Sequence, residues 1–175
     1  METKELIIES KKHGRFVVLY DADDEEIIAA HKWYVSDCKP YGKIYINTVM
    51  PHPDDSKRKK TTKLHRLIIN APKGMHADHI NGNTLDNRKE NLRLCTCAQN
   101  QWNRGPNKNN KSGFKGVSTR ARFAGKSKPW KAAIMVNRKT IQIGFYATPE
   151  EAARAYDIKA KELHGEFAYL NFPDE

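Results

Sequence analysis

No apolar run in this 175-residue chain approaches the length of a membrane span, and its mean hydropathy of −0.80 argues against one large apolar core. Cysteine is scarce. Cys38, Cys95 and Cys97 are too few and too unevenly placed for a disulfide framework, so a reducing cytoplasm is expected. The opening residues METKELIIES lack the basic-then-apolar order of a secretory leader. The most informative absence is one sign of charge. From Asn91 to Pro149 there is no Asp or Glu, and the same stretch holds 12 Lys and Arg. A solvated surface mixes both signs, whereas a long single-sign stretch is the electrostatic footprint of a polyanion partner.

What is present agrees with that. The net charge is +10 and the sequence pI about 9.5. Nucleic acid is the usual polyanion for such a chain. A membrane surface is the rival, but no basic helix with a broad apolar face is legible. A basic protein without a specific partner is the remaining alternative.

Along the chain, RFVVLYD (residues 15–21) and KIYIN (43–47) read as strands. ADDEEIIAAHKWY between them reads as a small helix whose start collects Asp21, Asp23, Asp24, Glu25 and Glu26. Helix-start chemistry accounts for these acids without a metal. PHPDDSKRKKTTK (51–63), with two prolines and the basic cluster Lys57, Arg58, Lys59 and Lys60, reads as a loop. It is either a solvated tip or a backbone-phosphate contact. NRGPNKNNKSG (103–113) contains no core-forming residue and reads as a linker. Beyond it, FKGVSTR, PWKAAIMV and TIQIGFY read as three strands. TPEEAARAYDIKAKELHG reads as a helix with Thr148 at the N-cap, Pro149 at the first position, Glu151 as capping-box partner and Gly165 as stop. Ala152, Ala155, Tyr156, Lys159 and Leu163 are expected on its inner face.

The densest polar stretch is MHADHINGN (75–83), followed by TLDNRKENLRLCTCAQNQWN. The order is strand, polar loop, strand and short helix, a finger able to bring Asp78, His79 and Asn100 together. These side chains suit phosphodiester hydrolysis. Asp78 and Asn100 offer hard oxygen ligands for Mg²⁺, with Mn²⁺ as a substitute. His79 can take a proton from water near neutral pH. Asn91 can fix the finger through loop backbone or through His79. A zinc site from His76, His79, Cys95 and Cys97 is the alternative. It is disfavoured because Cys-x-Cys is not the usual knuckle and on a strand only same-side residues converge. The cysteines are then packing residues.

The stretch DHINGNTLDNRKENLRLCTCAQNQWN resembles the HNH endonuclease finger of the phage and mobile-intron subfamily, with Asp78-His79, Asn91 and Asn100 in order and spacing. The likeness extends upstream through KWYV and LHRLII to about residue 15. It implies Asp78 and Asn100 as divalent-metal ligands, His79 as general base and Asn91 as its positioning residue. Asparagine rather than histidine at position 100 matches the nicking members. His65 and Arg66 match a recurrent pair, whose role is packing or DNA-backbone contact.

Residues 113–173 resemble the APETALA/ethylene-response-factor DNA-binding domain through GFKGVSTR, WKAAI, IGFYATPEEAARAYDIKA and HGEFAYLNF. That implies a three-stranded antiparallel sheet packed on one helix, its outer face reading the major groove. Strand alternation puts Trp130, Ala132, Ile134, Val136, Ile141 and Ile143 in the core. Ser118, Arg120, Lys131, Ala133, Met135, Thr140 and Gln142 fall on the other face. Arg120, Lys131 and Gln142 are the expected base contacts, and Lys115, Arg138 and Lys139 phosphate contacts. Arg104, Lys108 and Arg66 are candidate backbone contacts. Ser118, Ala133, Met135 and Gln142 depart from the plant pattern, so the plant recognition sequence does not carry over.

The expected fold class is α+β: an N-terminal ββα-metal finger module (1–104, finger about 74–104), a linker (105–111) and a sheet-plus-helix domain (112–173). The expected function is a metal-dependent homing-type DNA endonuclease, acting as a monomer on double-stranded DNA, or as a dimer there. A phage-encoded protein in bacterial host cytoplasm fits. A non-cleaving DNA-binding regulator with a decayed finger is the alternative, and an RNA-binding accessory protein is a third reading, for which no aromatic stacking platform is legible.

Overall fold

A computed structural model describes residues 2–38, 43–119, 125 and 127–175, and the chain divides into two compact units, Met1–Ala98 and Gln99–Glu175. The class is mixed α+β, with small antiparallel sheets and few helices.

The first unit begins with a hairpin, β1 (Thr3–Ser10) against β2 (Gly14–Asp21), closed by Ser10 opposite Gly14. Alternation along β2 buries Val18 and Tyr20 and exposes Val17. A 3₁₀ turn (Ala22–Asp24) and the one-turn helix α1 (Glu25–Ala29) follow. The acids here do not cap those helices through their side chains. Asp21 accepts from the Lys89 N–H (2.8 Å), Asp24 pairs with the Lys89 ammonium (3.0 Å), and Glu25 takes Lys4 and the Tyr20 hydroxyl. Asp21 stands at the N-cap of the 3₁₀ turn, and Asp23, Asp24, Glu25 and Glu26 stand in the first turns of the two helices, as expected; Asp21 and Asp24 in addition hold a distant loop, and Glu25 ties α1 to the hairpin.

The second sheet has the order β3 (Tyr34–Cys38), β4 (Lys43–His52), β5 (Asp55–Lys63). Residues 51–63, expected as a loop, are therefore mostly strand, with Met50 opposite Lys60 and Pro51 opposite Lys59. The expectation failed because β5 carries almost no apolar residue. An edge strand needs only its ladder, and charged side chains there discourage pairing with other chains. Helix α2 (Leu64–Ile68) then drops Leu64 and Ile68 into the core with Ile8, Val18, Tyr20, Ile28, Ile46 and Leu92.

Leu92 belongs to the finger, β6 (His76–His79) paired with β7 (Leu92–Cys95), followed by α3 (Cys97–Trp102). The loop between β6 and β7 docks on β2. Leu19 N–H donates to Leu85 O and Asn87 N–H to Leu19 O, both 2.8 Å. The finger is thereby fixed to the hairpin by backbone bonds and by Leu92.

In the second unit, the sheet order is β10 (Lys139–Tyr146), β9 (Trp130–Val136), β8 (Val117–Thr119), with α4 (Pro149–His164) packed on it. Thr148 Oγ1 accepts from Glu151 N–H (3.1 Å), while the Glu151 carboxylate returns to Ala147 N–H rather than to Thr148. Gly165 ends the helix at φ 53°. The face α4 buries is Ala152, Ala153, Tyr156, Asp157, Ala160 and His164. The expected Ala155, Lys159 and Leu163 flank it. Alanine at three contact points brings the helix close to the sheet. The register shifts between Gln142 and Gly144. Ile141, expected as core, sits opposite Ile134 yet is 40% exposed, while Ile134 lies with Tyr156 and Ala160 under the helix.

Asp157 organises the C-terminus. Its carboxylate accepts from the Asn171 and Phe172 N–H groups and from Asn171 Nδ2, and Asn171 in turn bonds both backbone groups of Lys115. Gly116, at φ 76°, lies so close to the Tyr156 ring that a Cβ there would overlap Cδ2 and Cε2.

Candidate active site

Asp78 and His79 occupy the last two positions of β6, and both are buried. Neighbours on a strand point to opposite faces. Asp78 lies opposite Arg93 and His79 opposite Leu92. The Arg93 guanidinium brings Nη2 to 3.1 Å and Nε to 3.2 Å of Asp78 Oδ2, and both side chains are about nine-tenths buried.

His79 is held on its own side. Its Nε2 is 3.4 Å from Asn87 Oδ1, its ring meets His65 edge-on at 4.7 Å, and Tyr45 lies 6.4 Å away. Desolvation pushes the His79 pKa down to about 4, and the nearby Lys43 and Lys63 ammoniums push the same way. The imidazole is therefore neutral at neutral pH, the form that accepts a proton. His65 is also shifted well below its ordinary value, by burial first and by His79 next.

Asn91 staples the loop. Its Nδ2 donates to Asp86 O (2.8 Å), its Oδ1 accepts from Asn81 N–H (3.0 Å), and its own carbonyl accepts from Ile80 N–H (2.8 Å). Of the two partners expected for it, loop backbone is the one it takes. The side chain on His79 Nε2 is Asn87, which sequence reasoning did not single out. Asp86 completes the loop, gripping Arg88 through two 2.8 Å bonds that hold its carboxyl below the ordinary range. Thr84 donates to Ile44 O, tying the loop to β4.

Asn100 is half-buried on α3. Arg66 donates to the carbonyls of Met75 (2.7 Å), Ala71 (3.1 Å) and Pro72 (3.3 Å), which is the packing alternative for that residue. Lys115 donates to Trp102 O and lies 5.4 Å over the Tyr169 ring, and burial lowers its pKa to about 8. Its ammonium is engaged within the unit. Lys131, Ala133, Met135, Thr140, Gln142 and Ser118 share the outer face of the β8–β10 sheet by register, Ser118 opposite Lys131 and Gln142 opposite Ala133. Arg138 and Lys139 are exposed at the β9–β10 turn, where Asn137 and Arg138 both take positive φ, as a two-residue hairpin turn demands. Arg104 and Lys108 are exposed. Arg120 lies outside the described residues.

The side chains weighed for zinc do not converge. His76 pairs with Cys95 on one side of the β6–β7 hairpin, and His79 points to the other. Cys95 is fully buried, with its thiol pushed up to about 11 by desolvation, and Cys97 is exposed. Among the described residues no cluster of three or more His, Cys, Asp or Glu is poised for a metal.

Residues 63–102 match the HNH endonuclease family model, a span that covers α2, β6, β7 and α3. An uncharacterized HNH endonuclease of Acanthamoeba polyphaga mimivirus is 32% identical over 151 residues, covering 85% of this chain and 71% of the relative. Protein 3.8 of Escherichia phage T7 is 35% identical over 97 residues, covering 55% of this chain and 76% of that protein. The chain belongs to the HNH endonuclease family. Membership implies a nuclease with DNA as its substrate. Its relatives are viral, and among the described residues no helix is long and apolar enough to cross a membrane.

Proposed function

We propose that the protein is a divalent-metal-dependent DNA endonuclease of the homing type that hydrolyses one phosphodiester bond per finger. The observation that carries the reading is His79, a buried imidazole kept neutral, braced by Asn87 and His65, and adjacent in sequence to the paired carboxylate of Asp78.

His79 accepts a proton from the attacking water at whichever ring nitrogen faces it, and its low pKa keeps it ready to do so. Asn87 and the His65 ring fix the plane of the imidazole. Asn91 acts through the loop, holding Asn81 and Asp86 in the turn that carries Asn87. Asp78 and Asn100 would hold the metal. A carboxylate and an amide oxygen are a hard donor set that suits Mg²⁺ or Mn²⁺. Asp78 Oδ2 accepts from the Arg93 guanidinium, so a metal ion would share that carboxylate with the arginine or take its place. When bound, the metal supplies charge stabilisation at the phosphate and leaving oxygen. In-line displacement sets attacking and leaving oxygens on opposite sides of phosphorus. Asp78 and His79, leaving β6 on opposite faces, are compatible with that demand.

The C-terminal sheet and helix act as a DNA-binding domain of APETALA/ethylene-response-factor type. Support comes from the strand order, the α4 packing and the outer face with Ser118, Lys131 and Gln142. Lys131, Gln142 and Arg120 would reach bases, and Arg138, Lys139, Arg104 and Lys108 phosphates. The proposed boundaries are 1–104, 105–111 and 112–173. A monomer with one finger gives a nick, and two chains on DNA give a double-strand break. The proposed setting is the cytoplasm of an infected bacterial cell. Supercoiled plasmid incubated with Mg²⁺, Mn²⁺ or chelator, beside a His79→Ala variant, tests the whole reading.

A further inference from the structure

The sheet β3–β4–β5 carries a basic face that the chemistry at His79 does not use. Residues two apart on a strand share a face, so Lys59, Thr61 and Lys63 form one file along the edge strand β5, and Lys57 precedes it in the register irregularity between Asp55 and Lys59. The register sets Pro51 opposite Lys59, Val49 opposite Thr61 and Asn47 opposite Lys63. Tyr34, opposite Asn47, shares this face, and its hydroxyl lies 3.4 Å from Thr61 Oγ1. The opposite face sends Ile46 and Val35 to the core, whereas on this one Tyr34 is 38% and Val49 50% exposed. Lys57 and Lys59 are exposed, and among the described residues no carboxylate pairs with either ammonium.

The file has a direction. Its last ammonium, on Lys63, sits 3.6 Å from the centre of the Tyr45 ring, and Tyr45 in turn faces His65 at 5.7 Å and His79 at 6.4 Å. Each two-residue step along β5 advances roughly 7 Å. The result is a row of point charges over an exposed floor of Tyr34 and Val49, ending beside the imidazole proposed as general base.

We propose that this face is a binding track for the phosphate backbone of a DNA strand, running from Lys57 through Lys59 to Lys63 and leading the strand to His79. Its endpoint rests on the nuclease reading. The track itself rests on the charge file. Successive positive charges along one strand match a ligand with repeated negative charge. Lysine gives charge without the planar fork that reads guanine edges, so the track holds backbone and not sequence. The exposed tyrosine and valine offer apolar contact to sugars between phosphates.

The test is the salt dependence of binding by the full chain to a duplex of about 30 base pairs, measured with chelator so that no cutting is needed. Removing one lysine–phosphate pairing lowers the slope of log K against log salt by roughly 0.9. The double variant Lys57→Gln/Lys59→Gln is expected to lower the slope by about 2. Lys11→Gln/Lys12→Gln, which removes the same charge from the exposed β1–β2 turn, leaves it unchanged. An unaltered slope in the first variant, or an equal fall in both, overturns the track. An acidic peptide that competes with the duplex on the wild type but not on Lys57→Gln/Lys59→Gln overturns the choice of DNA. If the wild type fails to cut plasmid in either metal, the nuclease reading falls while the slope comparison still reads the track.

Discussion

Asp78 and Arg93 face each other across β6 and β7, and both the Nε and Nη2 groups of the arginine converge on a single carboxylate oxygen, at 3.2 and 3.1 Å. Both side chains are about 10% exposed, so the pair is shielded from water. Removing one partner of a buried pair leaves the other charge without its counter-ion, and the loss is of order 3 kcal/mol. Arg93→Ala is therefore expected to destabilise the chelated protein by about 3 kcal/mol in urea unfolding. A midpoint within error of wild type contradicts the pairing.

A second expectation concerns pH. His79 titrates at about 4 in the fold against 6.5 when exposed, so the unfolded chain takes up its proton first as pH falls. The stability this neutral histidine contributes is whole above pH 6.5 and lost as pH falls toward 4, about 3 kcal/mol in all at 1.36 per unit. His65 is shifted in the same direction and adds to the loss. Urea unfolding of the metal-free protein between pH 7 and 5 is expected to show falling stability, flattened in a His79→Gln variant. A dependence unchanged by that substitution contradicts the assignment.

Asn91 is expected to act through the loop. Asn91→Ala removes the bonds to Asp86 O and Asn81 N–H, leaving the buried Asp86 carbonyl unpaired, at about 1 to 3 kcal/mol, and the Asn81 N–H to solvent. Hydrogen exchange should quicken across residues 80–91, and plasmid cutting should fall at least about tenfold, in proportion to the misplacement of Asn87 and His79. Full cutting with an unprotected loop separates Asn91 from the base.

How much of this was legible in the sequence depended on the kind of signal. Alternating apolar residues exposed β2, β9 and β10, and the Thr148-Pro149-Glu151 start and Gly165 stop marked α4 to the residue. The Asp78-His79-Asn91-Asn100 spacing marked the finger. β5 was missed because an edge strand of lysines and threonines has no apolar alternation to read. Asn87 and Arg93 were missed because one lies in a polar loop and the other depends on strand register, neither of which spacing reveals. Asp21 and Asp24 were legible as helix starts, but their partner Lys89, more than sixty residues away in sequence, was not. For Arg66 the sequence left packing and DNA-backbone contact both open, because a guanidinium bonded to backbone carbonyls leaves no pattern in the chain.

Gly116 tests the packing of the second unit. An alanine there must take a positive φ and drive its Cβ into the Tyr156 ring. Left-handed backbone and forced repacking together cost about 3 kcal/mol or more. Gly116→Ala in the full chain is expected to quicken hydrogen exchange in α4 and β8–β10 while that of β1 and β2 stays as in wild type. Unchanged protection in α4 contradicts the close approach.

The central claim is that His79 accepts the proton in a metal-dependent cut. The most direct measurement is conversion of supercoiled plasmid by the wild type and by His79→Ala, each with Mg²⁺, Mn²⁺ or chelator. The account predicts nicked or linear product with metal for the wild type, none with chelator, and a rate lowered at least about a hundredfold in the variant. Wild-type product that persists in chelator, or equal cutting by His79→Ala, would contradict it.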